Sequence, residues 1–234
     1  MSVKDNIDKT KLPNHVAIIP DGNRRWAREH NLSTFFGHKK GFNALIKIGR
    51  RARKLGIKVL TVWAFSTENW DRSKEEVSYL MDLYQTMIDR YLKDALKEKI
   101  RIVHLGRKDK INTLLRNKII AAEQKTKSFN KYYLCIALDY GGREEIVRSI
   151  NKLNNKKDIT EEIFEKYLDT SILPYSNPEL IIRTGGEQRL SGFMLWQSEY
   201  SELMFVKKYL PDFSPDDFQD CITNFSKRQR RFGK

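Results

Sequence analysis

A chain of 234 residues, 40% hydrophobic and 11% aromatic, can bury one sizeable core or two small ones, which excludes a disordered or fibrous protein. No apolar run approaches the roughly 18 residues of a membrane span, and the opening MSVKDNIDKTK lacks the apolar stretch of a secretion signal, so a cytoplasmic protein is expected. A formal net charge of +14 calls for an anionic partner: nucleic acid, an acidic membrane surface or a phosphorylated small molecule.

The first strand candidate is HVAIIP from His15. Phe42, Leu45, Ile46, Ala52 and Leu55 then recur at helical spacing, with Gly56 as a C-terminal stop. VLTVWAF from Val59 reads as a second strand, after which Ser73 and Glu76 form a capping box opening a helix over residues 74–97. Within that helix Met81, Tyr84, Met87, Ile88, Tyr91 and Leu92 fall on one face and read first as core. Further strands are RIVHLG from Arg101, YYLCIAL from Tyr132 and ELIIRT from Glu179, with ELMFV from Glu202 as a sixth. NKLNNKKD around Asn154 is the most loop-like stretch, and the last helix opens on Ser214 as N-cap, Pro215, Asp216 and Asp217. Cys135 and Cys221 have no metal-like spacing and read as reduced structural thiols. Strand-length segments alternating with amphipathic ones predict an α/β fold. The expectation is a single domain, 15–234, with a mainly parallel six-stranded sheet surrounded by helices, after a polar segment 1–14.

In open α/β sheets ligands collect beyond the carboxyl ends of the strands. The first strand ends in Asp21, Gly22, Asn23, Arg24 and Arg25; the second in Ser66, Thr67, Glu68, Asn69 and then Arg72; the fifth in Arg183, Thr184, Gly185 and Gly186, followed by Arg189. Taken singly these have plain structural explanations: Asp-Gly as a turn, STEN as a helix cap, the glycine pair as a loop, His38 as a packed side chain, SKRQRRFGK as a solvated tail. Those explanations leave the coincidence of arginines and acids at three strand ends unaccounted for. Arginine forks, a backbone opened by Gly22 and the N-terminus of the helix after it suit a phosphate anion.

The motifs HVAIIPDGNRRWA, GHKKG, VWAFSTENWDRS, ALDYGGREEIV, IIRTGGEQRLSGFMLWQ, YSEL and RQRRFG, in that order, resemble the undecaprenyl diphosphate synthase, or cis-prenyltransferase, family from His15 to the C-terminus. The resemblance implies a homodimeric enzyme that condenses isopentenyl diphosphate units onto an allylic diphosphate, typically farnesyl diphosphate. Its product would be a cis-polyprenyl diphosphate such as undecaprenyl diphosphate, a lipid-carrier precursor. It implies Mg2+ as cofactor, with Asp21 as catalytic carboxylate and metal ligand and Glu202 as a second metal ligand that a neighbouring subunit can supply. Gly22, Asn23, Arg24, Arg25, Trp26 and His38 would surround the allylic diphosphate. Ser66, Thr67, Glu68, Asn69, Trp70 and Arg72 would form a mobile segment beside the reacting ends. Asn69, an amide and a poor base, would orient substrate or relay a proton. Arg183, Arg189, Leu190 and Ser191 would hold the isopentenyl diphosphate, and the closing RRFG would reach the dimer-related site.

The chain departs from the family pattern at Arg24, where many bacterial members have glycine, and at Thr34, where many carry an arginine. Asp139 replaces a frequent asparagine, and Glu199 adds an acid. A growing hydrocarbon needs an apolar tunnel, for which the helix over 74–97, with Met81, Tyr84 and Met87, is the natural wall and the segment 111–120 another. Lipid release would bring the basic protein to an anionic membrane as a peripheral contact. Nucleic acid is not the expected partner, because no recognised binding module is present. The alternatives are a short-chain or head-to-middle cis-prenyltransferase and a non-catalytic partner subunit of the same fold.

Overall fold

His15–Ile19 (β1) is buried at every position, as a strand covered on both faces requires. It lies inside a six-stranded sheet whose order is β3-β4-β2-β1-β5-β6, every neighbouring pair being parallel. The other strands are Val59–Ser66 (β2), Ile100–Leu105 (β3), Tyr132–Tyr140 (β4), Leu180–Arg183 (β5) and Glu202–Phe205 (β6). The computed structural model describes residues 9–154 and 156–228; the RRFG tail and most of the polar N-terminal segment lie outside the described residues. All six expected strands form, with ends displaced by a residue or two: β4 runs on to Tyr140 and β5 stops at Arg183. Because β1 turns to β2 on one side and to β5 on the other, the chain reverses direction across the sheet beside β1, which opens a crevice at the carboxyl ends of β1 and β5.

The helices are Asn23–Glu29 (α1), Thr34–Leu55 (α2), Lys74–Lys97 (α3), Thr113–Thr126 (α4), Gly142–Lys152 (α5), Glu161–Glu165 (α6) and Pro215–Ser226 (α7). Gly56 ends α2 in the left-handed conformation at φ 93°, and Ser214 with Asp217 closes a reciprocal capping box on α7. At α3 the expected box is only half made: Ser73 accepts from the Glu76 backbone N–H, but the Glu76 carboxylate turns away to two arginines and a histidine. A full box closes one turn earlier, where Ser66 and Asn69 cap a 3-10 turn over Thr67–Asp71.

One layer of core packs Ile18, Ile48, Leu180 and Phe218 between the sheet, α2 and α7. The opposite face packs Ala17, Cys135, Ala137 and Phe193, and a third cluster joins Phe65, Leu80, Met81, Leu115 and Ile119 between β2, α3 and α4. Both cysteines are buried and free. Among the described residues no helix is long and apolar enough to cross a membrane.

Candidate active site

Asp21 follows β1 directly and meets Arg183 from the end of β5, Nη2 to Oδ2 2.9 Å, and Arg25 from α1, Nη2 to Oδ1 3.1 Å. Its backbone N–H donates to Thr184 Oγ1, whose hydroxyl donates back to the Asp21 carbonyl, so β1 and β5 are clasped behind the carboxylate. Burial pushes the Asp21 pKa up, but the hydrogen bond from Arg183 and the charge of Arg25 more than offset it and hold the acid below its usual value. It is ionised at neutral pH. Gly22 sits at φ 103°, and a Cβ there would lie 2.5 Å from the Tyr209 ring, so only glycine fits between the acid and the first helix.

Two acids tie the surrounding cations together. Glu187 accepts from Arg25 at 3.0 Å and from Arg189 at 2.6 Å, bridging the β1 and β5 sides of the crevice. Glu76 accepts from Arg72 at 2.9 Å, lies 3.3 Å from His38 Nε2, and pairs with Arg24 at 3.7 Å. Burial lowers the His38 pKa, and Glu76 restores only part of that shift.

This polar mouth opens into a cavity of about 480 Å3. Asp21, Asn23, His38, Asn69, Arg72 and Arg183 stand at its entrance, with Ser66, Glu68 and Ser191. The interior is hydrocarbon: Phe42, Leu60, Met87, Ile119, Leu134 and Ile136 represent walls from α2, β2, α3, α4 and β4. Tyr84 lies within the same wall, and its hydroxyl donates to the Ala64 carbonyl at 2.5 Å. The expected tunnel walls are therefore present, with one change: Tyr84 and Met87 line the cavity, while Met81 packs in the core behind it.

Several expected site residues do not face the cavity. Trp26 is buried, donates from Nε1 to Asp212 at 2.7 Å and carries the Lys40 ammonium over its ring at 3.9 Å, so it pins α1 to the following elements. Trp70 donates to Asp139 Oδ1 at 2.8 Å and packs edge-on against Phe65, anchoring the 66–72 segment to β4. Asp139, the departure from asparagine, is fully buried and is also bound by Arg107 at 2.9 Å. Thr67 packs against Gly141, and Leu190 leans on the core cluster around Phe193. Arg183 holds the 189–191 turn through the Arg189 carbonyl and the Ser191 hydroxyl, while the Arg189 guanidinium reaches outward to Glu187. Gly22 and Arg25 flank Asp21, and Arg24 is half exposed at the rim.

Glu202 is not brought to Asp21 within one chain. It begins β6, level with Leu180, whereas Arg183, beside Asp21, lies at the other end of β5; three residues of strand put about 10 Å between those levels. Glu202 pairs there with Arg228. Glu76 and Glu187 are residues of this mouth that the motifs did not single out. The i,i+4 spacing of Arg72 and Glu76 was the available signal for the first.

Among the described residues no group of three or more His, Cys, Asp and Glu side chains is gathered as a metal cage. One ionised carboxylate among phosphate-binding groups instead suits a hard cation that takes most of its oxygens from substrate and water. Arginines around an ionised carboxylate, opening onto a mostly hydrocarbon cavity, are the arrangement of an α/β protein suited to a molecule that joins a phosphate head to an apolar tail.

The chain belongs to the undecaprenyl diphosphate synthase family: the family model described as "Putative undecaprenyl diphosphate synthase" matches residues 19–233. It is 47% identical to an isoprenyl transferase of Thermotoga maritima over 95% of this chain and 97% of that one. It is 38% identical to the ditrans,polycis-undecaprenyl-diphosphate synthase, (2E,6E)-farnesyl-diphosphate specific, of Micrococcus luteus, over 98% and 94%. A crystal structure of lavandulyl diphosphate synthase from Lavandula x intermedia with dimethylallyl diphosphate superposes at a TM-score of 0.93, with 37% identity over 96% of this chain and 100% of that one. The protein is a cis-prenyltransferase.

Proposed function

We propose that the protein extends an allylic diphosphate, farnesyl diphosphate first among them, by successive isopentenyl diphosphate units to a long cis-polyprenyl diphosphate. The observation that carries this reading is the cavity: a cationic mouth around Asp21 leading into a hydrocarbon space of about 480 Å3. In each cycle the allylic C–O bond breaks, pyrophosphate leaves, the isopentenyl double bond forms the new C–C bond and one proton is lost. Arg24, Arg25, Asn23 and His38 receive the allylic diphosphate, and Arg183, Arg189 and Ser191 the isopentenyl one. Cations aimed at the departing oxygens lower the barrier because charge develops there. Asn69, held by its side chain to the Ser66 N–H at 3.1 Å, orients the reacting ends.

Asp21 would hold Mg2+, which, when bound, supplies charge stabilisation to the diphosphate. Its two oxygens would exchange Arg183 and Arg25 for metal and water. Glu202 would serve that metal only from a second copy of the chain, which fits the homodimer the family resemblance implies. The protein would act in the cytoplasm and touch the membrane peripherally when the lipid leaves. A short-chain reading rests on the lavandulyl diphosphate synthase likeness.

Purified protein incubated with Mg2+, farnesyl diphosphate and radiolabelled isopentenyl diphosphate, beside Asp21→Ala, tests the proposal. Long labelled polyprenols that vanish in the variant are expected. Label halting after one or two additions would establish the short-chain reading, and no incorporation with any allylic primer would overturn self-sufficient catalysis.

A further inference from the structure

Glu76 stands among the guanidinium and imidazole groups at the mouth of the cavity. Its carboxylate is largely buried, with a side chain 13% exposed, and contacts three nitrogen groups from three different elements: the guanidiniums of Arg24 in α1 and Arg72 beyond the 3-10 turn, and the His38 imidazole of α2. Two of the three line the cavity mouth. An acid confined among cations meant for an anion competes with that anion. Helix capping does not account for the position, because the carboxylate has abandoned the Ser73 backbone N–H that a capping box would give it.

We propose that Glu76 is an internal counter-anion that holds the empty mouth in order and, by competing for Arg72, His38 and Arg24, weakens diphosphate binding enough for pyrophosphate to leave after every condensation. The proposal rests on the prenyl-transfer reading. An enzyme that must repeat its cycle many times on one chain gains nothing from holding the leaving group tightly, since product release then limits turnover.

The test is titration of inorganic pyrophosphate into the full chain in magnesium buffer, by calorimetry, with Glu76→Gln, Glu76→Asp and Glu75→Gln. Glu75 is exposed in the same helical turn, so its variant removes the same formal charge without touching the cluster. Glu76→Gln is expected to bind pyrophosphate roughly three- to tenfold more tightly, as one weak to moderate ion-pair set is released. Glu75→Gln should match the wild type and Glu76→Asp fall between. Steady-state assays should show Glu76→Gln turning over more slowly, with stronger inhibition by pyrophosphate and an unchanged or lower KM for the allylic substrate. Equal or weaker pyrophosphate binding by a Glu76→Gln protein that melts like the wild type would overturn the proposal and make Glu76 a scaffold for Arg72. Absence of pyrophosphate binding to the wild type itself would overturn the diphosphate reading of the mouth, and this inference with it.

Discussion

The mouth and the body of the cavity are built on opposite principles. At the mouth, arginines from β1, β2 and β5 ends are held by acids: Arg183 and Arg25 by Asp21, Arg25 and Arg189 by Glu187, Arg72 by Glu76. In the body, lining side chains such as Leu80 and Ile119, backed by Phe65 and Leu115 of the core, are held by contact alone. Ion pairs that are partly open to water contribute little to stability, whereas each large buried side chain contributes a few kcal/mol. Chemistry and folding stability are therefore stored in different places, and the same severity of substitution should fail in different ways at the two.

Asp21→Ala carries the largest expected effect on rate: prenyl transfer should fall by at least about 10^3-fold, with the melting temperature within a few degrees of the wild type. A large loss of stability in that variant would break the division. Phe65→Ala in the core behind the body should do the reverse, costing about 3–5 kcal/mol in denaturant unfolding because the ring is 1% exposed and its cavity cannot collapse fully. Its rate per folded molecule should change far less than that of Asp21→Ala.

Histidines separate the two regions by pH. His15 is held neutral by burial between Tyr175 and Thr61, and His104 by burial beneath α4, each with a pKa lowered from 6.5 to about 3. The unfolded chain takes up protons below pH 6.5 that the folded chain refuses, so stability falls as pH drops from about 6.5 toward 3. The slope is up to about 1.4 kcal/mol per pH unit for each histidine. His15→Gln should flatten that limb in pH-dependent chemical denaturation; an unchanged slope would remove His15 from the account. Asp21, lowered in the folded state, adds its own loss only in the carboxylate range, as pH falls through its depressed value.

The smallest effect sharpens the border. Trp26→Phe deletes the donor to Asp212 and should cost about 1–2 kcal/mol, with KM for the allylic substrate within about twofold of wild type. A large rise in KM with no loss of stability would return Trp26 to the mouth.

Much of this division was legible in the sequence. Strand-length apolar runs and polar strand ends located the sheet and the crevice, because a central parallel strand must be apolar on both faces and phosphate-binding groups must sit at its carboxyl end. Orientation was not legible. Whether Trp26 faces substrate or Asp212, and whether Glu76 caps a helix or enters the site, depends on partners 186 and 38 residues away. The Glu202 position was hidden for a related reason: the motif names the residue, but the parallel register of β5 and β6 decides which end of the sheet it occupies.

The Tyr84 hydroxyl, already spent on the Ala64 carbonyl, has a consequence for motion. A chain whose reactive head stays fixed at the mouth must slide its tail forward by one isoprene unit at every addition. At Tyr84 the wall offers that tail a hydroxyl already satisfied, so at this point there is no hydrogen bond to break and none to form; elsewhere His104 lines the same cavity with an Nδ1 unpartnered among the described residues. The phenol lends Tyr84 its bulk and a fixed posture without adding grip, so this stretch of the wall stays slippery.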